Sequence, residues 1–191
     1  TLSGRNGDGE FLGVDGAALG VRLLPLLARR VVVDRVDADG LRIDLRRGKD
    51  GRLNAADLFA EVEDDTPVEL ALTGVAVSRG ALTWIDERSG RSFGLAEVHF
   101  ASAGLARHAD GRLALAARLI QAAPAVDARV EVHTDYRLDA DADQQARDLH
   151  VVVRGMVAGQ PDVELELTDA ELGVAADGPP QLAGVGLLAK G

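Results

Sequence analysis

One acidic stretch of the chain imitates the start of a calcium-binding loop. Asp139, Asp141 and Asp143 alternate with alanine, which copies the first, third and fifth positions of an EF-hand loop. The sixth position holds Gln144 where the turn requires glycine, and the twelfth holds His150 where calcium requires a bidentate glutamate. We therefore predict a solvated hairpin tip at this stretch rather than a calcium site.

The remaining polar residues do not show the spacing that metal binding or nucleophilic catalysis needs. No two of the histidines, His99, His108, His133 and His150, have the paired spacing of a zinc site. Ser89 lies in the turn-like run R-S-G-R, so we expect no nucleophilic serine, and cysteine is absent. The glycines are spread over turns and are not gathered into a phosphate-binding loop. We expect no catalytic residue, no metal and no cofactor, and hence no enzyme.

Composition favours a globular protein whose partner is not nucleic acid. The chain has 191 residues, of which 47% are hydrophobic, and its formal net charge is −10. That is enough apolar material for one large domain or two small ones, whereas binding to phosphates needs clustered Lys and Arg. The richest basic run, residues 42–49, alternates with Ile43 and Leu45 and is typical of the polar face of a strand. The longest apolar stretch, residues 17–28, is shorter than the ~20 residues that a membrane span requires.

A strand with one apolar and one polar side organises the rest of the chain. Residues 126–139 alternate without a slip, and a period of two is the signature of a half-buried strand. One side carries Val126, Ala128, Val130, Val132, Thr134, Tyr136 and Leu138, and the other carries Asp127, Arg129, Glu131, His133, Asp135, Arg137 and Asp139. We predict a long, central, antiparallel strand here.

Most of the chain beyond residue 68 repeats this pattern. Alternation recurs around residues 113–120, 149–153 and 163–168. Turns are predicted at residues 79–80, 87–91, 108–112, 123–124, 141–145, 159–162 and 177–180. Because consecutive strands joined by short turns pair antiparallel, we predict a mainly β fold, a long-stranded antiparallel meander curled into a groove or partial barrel.

The N-terminal part mixes strand and helix signals. We expect a short helix or apolar plug within residues 17–30, limited by Pro25, and a second short helix after Asn54, which suits an N-cap. Residues 31–37 and 41–47 have the pattern of two strands, and Asp39-Gly40 between them predicts a tight hairpin. The acidic run at residues 61–65 has the composition of a linker. We therefore divide the chain into residues 1–65 and 66–191, which could also form one continuous domain.

The apolar side of this sheet needs a cover that the sequence does not supply. Helix is too scarce to cover it, so the sheet must curl on itself, or a partner or an elongated apolar ligand must lie against it. The residues predicted to face such a ligand are Leu113, Leu115, Leu119, Val126, Val130, Val132, Tyr136, Leu138, Val163, Leu165 and Leu167. Aromatic residues make up only 3% of the chain, so we expect a smooth surface rather than a pocketed one.

Several motifs within residues 12–58 follow a known pattern. They are L-L-P-L-L at residues 23–27, V-V-V-D-R-V-D-A-D-G-L-R-I-D-L at residues 31–45, and G-x-x-N-x-x-D-L at Gly51, Asn54, Asp57 and Leu58. Together they resemble the N-terminal region of the AsmA family of Gram-negative envelope proteins. The family commonly has an aromatic residue after that asparagine, where this chain has Ala55. Similar stretches follow at residues 77–86 and in the acidic run that ends at Gln145.

This resemblance implies a periplasmic protein held in the inner membrane by an N-terminal anchor outside this chain. It also implies long strands that form an apolar groove, and a role in moving phospholipid or other acyl lipid toward the outer membrane. No catalytic residues come with the resemblance. Two functions stay open: a lipid-binding module with an open groove, and a module with a sealed core that binds or chaperones envelope proteins through its polar face or a strand edge.

Overall fold

The computed structural model describes residues 2–3, 10–21, 31–54, 68–104, 110–137, 144–174 and 181–190. The N-terminal strands are β1 (Leu2–Ser3), β2 (Glu10–Gly13), β3 (Gly16–Val21), β4 (Val31–Asp39) and β5 (Arg42–Arg47). The long strands that follow are β6 (Val68–Asp86), β7 (Arg91–Ala103), β8 (Asp110–Gln121), β9 (Val126–Arg137), β10 (Gln144–Val157) and β11 (Gln160–Val174). Two short strands, β12 (Gln181–Ala183) and β13 (Gly186–Lys190), complete a single 13-stranded sheet that curls without closing.

The predicted meander is confirmed from β6 to β11. Each of these strands pairs antiparallel with the next. β9, the strand expected from the unbroken alternation, is 12 residues long and lies between β8 and β10. The turns expected at Glu87 and at Ala123-Pro124 are also present, at residues 87–90 and 122–125. Short turns of this kind force neighbouring strands to run in opposite directions.

The N-terminal strands pair differently from the prediction. β4 and β5 do not pair with each other, and both lie parallel to β6, β4 along its first part and β5 along its last part. β3 and β2 run antiparallel along β4 and β5. The predicted hairpin at Asp39-Gly40 is therefore wrong, because the positive φ of Gly40, 64°, interrupts one long strand instead of reversing it. Strands from both sides of residue 65 thus join the same mixed sheet.

Irregularities in neighbouring strands lie side by side where β4 gives way to β5. Arg79-Gly80, predicted as a turn, lies within the 19-residue β6, where Arg79 has a φ of 52° and the register with β7 shifts. Glu97 on β7 also has a φ of 52°, next to a register shift against β8. A β-bulge of this kind bends its strand and increases its twist. We infer that these bends contribute to the curl of the sheet.

Other predicted elements are shifted or lie outside the described residues. Gly16–Val21 is a strand, so the helix expected within residues 17–30 does not start at residue 17, and residues 22–30 lie outside the description. The helix expected after Asn54, the turn at 177–180 and residues 138–143 also lie outside it. β8 already begins at Asp110, inside the turn expected at 108–112. The turn expected at 159–162 is tighter, since residues 158–159 connect β10 to β11.

The sheet is a single layer over the described residues. Every pair of strands in contact there is also a hydrogen-bonded pair. The buried hydrophobic residues among the described ones are Ala117, Ala128, Val152 and Ala170, and no large side chain among them is fully buried. Two packed layers would enclose large side chains at close-packed density. No second layer of described residues therefore covers either face.

Candidate functional site

The strand registers bring apolar side chains into one row that crosses the whole sheet. Directly opposite residues on neighbouring strands lie on the same face. From β3 to β13 the successive partners are Ala17, Ala38, Val77, Phe100, Leu115, Val132, Val151, Leu167 and Leu187. We call these residues the central row. No charged residue interrupts it from one edge of the sheet to the other.

A second row of apolar residues and glycine lies on the same face, nearer the β6–β7 hairpin. From β2 to β11 its partners are Leu12, Ile43, Leu82, Leu95, Leu119, Ala128, Gly155 and Val163. Both rows, together with the other residues on the same side of the sheet, form what we call the apolar face. The face has this breadth because alternation with a period of two places every second residue of each strand on it.

The structure brings the predicted ligand-facing residues together. Leu115, Val132 and Leu167 lie in the central row, and Leu119 and Val163 in the second row. The registers also place Leu113, Val126, Val130, Tyr136 and Leu165 on the apolar face, whereas Leu138 lies outside the described residues.

Sequence reasoning missed the contribution of β6 and β7 to this face. Val77 and Leu82 of β6, with Phe100 and Leu95 of β7, occupy the two rows. Their alternation changes phase at the bulges near Arg79 and Glu97, so a strict period of two does not connect the two halves of either strand. A one-residue change of phase between two alternating segments is the signal that could have revealed them.

Two alanines in the middle of the apolar face are more enclosed than two alanines of the polar face. Ala117 and Ala128 on the apolar face are only 4% and 2% exposed, although no described second layer covers them. Ala101 and Ala103 on the polar face are exposed, although Val152 on that face is only 8% exposed. Side chains converge on the inner side of a curved sheet and diverge on its outer side. We infer that the apolar face lines the inside of the curl and forms a trough.

Aromatic residues lie near one end of the strands that form this trough. Trp84 on β6 is paired with Phe93 on β7, and Leu45 on β5 is the other neighbour of Trp84. All three side chains are half-buried. Trp84 is the only tryptophan in the chain, so its fluorescence reports on this part of the apolar face alone.

A tyrosine near the other end of the trough forms hydrogen bonds that connect β9 to β7 across β8. The Tyr136 hydroxyl on β9 lies 2.7 Å from Ser102 Oγ and donates a hydrogen bond to the Ala103 carbonyl at 3.0 Å, both on β7. Ser102 is only 7% exposed, and this bond satisfies its hydroxyl. Gly111 on the intervening β8 makes the crossing possible, because an added Cβ would overlap the Tyr136 ring. The contacts therefore fix β7, β8 and β9 relative to one another.

Paired charges stabilise the polar face. Arg118 donates two hydrogen bonds to the Asp127 carboxylate, at 2.7 and 2.8 Å, and these hold the pKa of Asp127 below its usual range. A hydrogen bond from Arg79, followed by one from Ser78, lowers the pKa of Asp39 to about 2. Both carboxylates are therefore ionised and partnered near neutral pH. They connect neighbouring strands on the polar face.

The described residues do not assemble a metal centre. No group of three or more His, Asp or Glu among them could hold a metal ion. His133 and His150 lie opposite each other on β9 and β10, and His150 Nε2 lies 3.0 Å from Glu166 Oε1.

Although we expect no nucleophilic serine, the sequence contains one match to the G-x-S-x-G pattern, G-R-S-F-G at residues 90–94. Ser92 of that match is exposed in β7 after a β-hairpin, whereas the catalytic motif needs a sharp strand-to-helix turn.

Asn54, from the G-x-x-N-x-x-D-L motif, forms hydrogen bonds with the main chain of β5, as a residue of a neighbouring strand would. Its side-chain oxygen accepts a hydrogen bond from the Arg46 N–H at 2.9 Å, and its amide donates to the Asp44 carbonyl at 2.8 Å. Its own N–H donates to the Arg46 carbonyl at 3.0 Å. These bonds satisfy main-chain groups of β5 beyond the point where β2 stops pairing with it. The motif residue thus has a structural role at the edge of the sheet.

No protein-family model matches the chain, and no curated protein or solved structure matches it either. Within the ranges that the structure describes, no helix has the length and apolar character needed to cross a membrane. The geometry of the apolar face is therefore the main guide to function.

Proposed function

We propose that the protein is a non-enzymatic module that binds phospholipid or another acyl lipid along its apolar face. The central row supports this proposal, because it is uncharged across the whole sheet and none of its residues is buried. Apolar surfaces of this extent are rare on soluble proteins unless they bind something. At about 4.8 Å per strand, the row from β3 to β13 extends roughly 38 Å. One leaflet of a bilayer has about 15 Å of hydrocarbon, so an extended acyl chain fits along the row.

We further propose the cellular setting that the family resemblance implies. In that setting the chain is the periplasmic part of an AsmA-like protein anchored in the inner membrane, and it conducts lipid for assembly of the outer membrane. The motif asparagine Asn54 supports the likeness, since it has a defined place on the edge of β5. The acidic net charge of −10 is also consistent with a partner that is not a polyanion.

The second function, a sealed module that binds or chaperones envelope proteins, has weaker support. Such a module would bury the central row in its own core. Val132, Leu115 and Val151 in the middle of that row are half-buried and not enclosed. The open geometry therefore favours a ligand on this face.

The proposal is tested by quenching of Trp84 fluorescence with brominated phospholipid. Bromine quenches tryptophan only at short range, so acyl chains on the apolar face will quench the single tryptophan of the chain. The matched control is the double variant Trp84→Phe/Thr83→Trp. It moves the tryptophan by one residue to an exposed position on the polar face. We expect that brominated phospholipid does not quench the fluorescence of this variant.

Two results would count against lipid binding at this face. One is equal quenching of the chain and of the double variant, which indicates contact without a preference for the apolar face. The other is no quenching together with a native mass spectrum that shows the protein free of phospholipid. The second result would favour the sealed interaction module.

A further inference from the structure

One corner of the trough is basic although the chain as a whole is acidic. Residues 42–52 include five basic and two acidic residues, in a chain whose net charge is −10. They form β5 and the turn that follows it. The turn between β6 and β7 lies beside this segment, because the Glu87 N–H donates a hydrogen bond to the Arg47 carbonyl at 2.9 Å. An added Cβ at Gly51 would lie 3.4 Å from Arg88 Nη1, so the side chain of Arg88 lies against the turn that follows β5.

Two arginines of this corner lie on the apolar face. Arg47 follows Leu45 by two residues, and Arg91 precedes Phe93 by two, so each arginine lies on the same side of its strand as that apolar residue. Asp86 of β6 lies between them, paired with Arg47 on one side and with Arg91 on the other. These three charged residues therefore border the aromatic residues at this end of the strands.

Three cations at this corner have no carboxylate partner among the described residues. They are Lys49, Arg88 and Arg91, and all three are exposed. Arginines elsewhere in the sheet, such as Arg118 and Arg154, have such partners. The three cations are therefore available to an anion from solution.

The carboxylate of Asp86 offsets only part of this positive charge. It accepts hydrogen bonds from the Arg88 N–H and the Ser89 hydroxyl, each at 2.9 Å. It also lies 4.0 Å from Arg47, and its side chain is only 15% exposed. The carboxylate thus stabilises the turn between β6 and β7, while the side chain of Arg91 stays exposed beside it.

We propose that this corner holds the phosphate head group of the lipid whose acyl chains lie on the apolar face. Its cations are Arg47, Lys49, Arg88 and Arg91, which we call the basic corner. Guanidinium groups bind phosphate through parallel N–H···O bonds, and an ammonium group binds it as a point charge. The assignment rests on the proposed function and adds a direction to it, since the head group lies at one end of the strands and the chains extend away from it.

The apolar face continues directly from the basic corner. On β7 the residues of that face after Arg91 are Phe93 and Leu95, and Leu95 belongs to the second row. Beside Phe93 the end of the sheet is uncharged on this face, because the registers continue through Gln121 and Val126. A phosphate at the basic corner therefore places the carbonyl end of an acyl chain beside the aromatic residues and its methyl end farther along the apolar face.

The test compares two brominated lipids with the same chains, phosphatidylglycerol and diacylglycerol. Each is delivered as a monomer from cyclodextrin, and its apparent Kd is taken from the quenching of Trp84. We expect phosphatidylglycerol to bind more tightly. Arg88→Gln and Arg91→Gln will each weaken its binding by about two- to fivefold, the range for exposed ion pairs, and will leave diacylglycerol binding unchanged. The matched control Lys190→Gln removes an exposed cation on β13, away from the basic corner, and will change neither Kd.

The position of the bromine tests the direction of the lipid. Phosphatidylglycerol brominated near the carbonyl end of its chains will quench Trp84 more strongly than the same lipid brominated near the methyl end. Circular dichroism checks that each variant keeps its strands.

Several results would overturn the head-group site. Equal Kd values for the two lipids, or unchanged phosphatidylglycerol binding by Arg91→Gln, would remove the site and leave lipid binding intact. Stronger quenching by bromine near the methyl end would place the head group elsewhere. Relief of quenching by inorganic phosphate at the concentration of the lipid would indicate a site for the free anion.

Two further outcomes concern the ligand itself. Binding to phosphatidylglycerol vesicles that Arg91→Gln abolishes, without quenching by monomeric lipid, would show that the basic corner recognises a membrane surface instead of a single head group. No quenching by either monomeric lipid and no binding to vesicles would overturn the proposed function and the head-group site together. Failure of the site alone is therefore distinguishable from failure of lipid binding.

Discussion

Substitution of one valine in the middle of the central row by aspartate distinguishes an open trough from a sealed core. Val132 lies between Leu115 on β8 and Val151 on β10 and is half-buried. Val132→Asp replaces an apolar surface with a carboxylate at the centre of the proposed lipid path. In an open trough the carboxylate reaches water. In a sealed core it would be desolvated without a partner.

The two cases differ in the expected loss of stability. Full burial of a valine is worth about 1.5–3 kcal/mol, so a half-buried one loses about 1 kcal/mol when replaced. The lower strand preference of aspartate adds up to about 1 kcal/mol. The open trough therefore predicts a loss of about 1–2 kcal/mol in the free energy of unfolding. A sealed core predicts a loss of several kcal/mol, because an unpaired charge is taken out of water, and that approaches the whole stability of a typical domain.

Urea melts and a fluorescent-phospholipid binding assay measure both quantities on the same samples. We expect Val132→Asp to fold with the modest loss and to bind lipid weakly or not at all. The matched control is His133→Asp, one residue further along β9 and exposed on the polar face, which will keep lipid binding. An unfolded Val132→Asp protein would refute the open trough. A folded protein with unchanged lipid binding would show that the central row is not the lipid path.

Three further predictions concern the contacts that hold the sheet together. Tyr136→Phe leaves the buried hydroxyl of Ser102 without its partner and is expected to lower the free energy of unfolding in urea by about 1–3 kcal/mol; the double variant with Ser102→Ala should recover part of that loss. Asn54→Ala removes two side-chain hydrogen bonds to β5 and is expected to lower it by about 1–2 kcal/mol; an unchanged melt would show that the motif asparagine is not structural. The hydrogen bond from Arg79 lowers the pKa of Asp39 to about 2, so its stabilising effect is complete above the unfolded value of about 3.9 and is lost as the pH falls toward 2. Acid melts should therefore show a smaller decline for Asp39→Asn than for the unmodified chain between about pH 4 and pH 2.

Local patterns identified the faces of the strands but not all of their neighbours. Val126 to Arg137 forms β9 because alternation with a period of two is a property of the strand itself. Leu115 and Leu167 share its apolar face for the same reason. Most of the predicted ligand-facing residues therefore lie together. The pairing of those residues across strands depends on register, which the turns fix only where they are short.

The turns that were predicted wrongly lie where the same local sequence is compatible with either a tight turn or a bulge within a strand. Asp39-Gly40 and Arg79-Gly80 both supply a residue with positive φ, and positive φ serves a tight turn or a bulge equally well. The outcome depends on partners far away in the chain. Gly40 N–H donates to the Ser78 carbonyl, and Ala81 N–H donates to the Leu41 carbonyl, so β6 keeps both irregular sites within extended strands. No window of sequence around Gly40 contains that information.

The arrangement of charge leaves only one side of the sheet for a hydrophobic cover. The polar face carries cross-strand ion pairs on separate parts of the sheet, such as Arg118 with Asp127 and Arg154 with Glu164. A second layer packed there would have to desolvate these pairs, which is unfavourable unless every hydrogen bond is kept. On the apolar face of the described strands, an ion pair lies only near the end of β5 and β6, where Arg47 is 4.0 Å from Asp86. The central row lies away from that pair and is half-buried in the middle strands. Hydrophobic surface of this size gains free energy from any apolar cover, at about 25 cal/mol per Å². A flexible acyl chain can follow a curved, smooth surface of valine, leucine and alanine, whereas a rigid protein partner must match its curvature, and this difference is the physical reason for preferring lipid as the ligand.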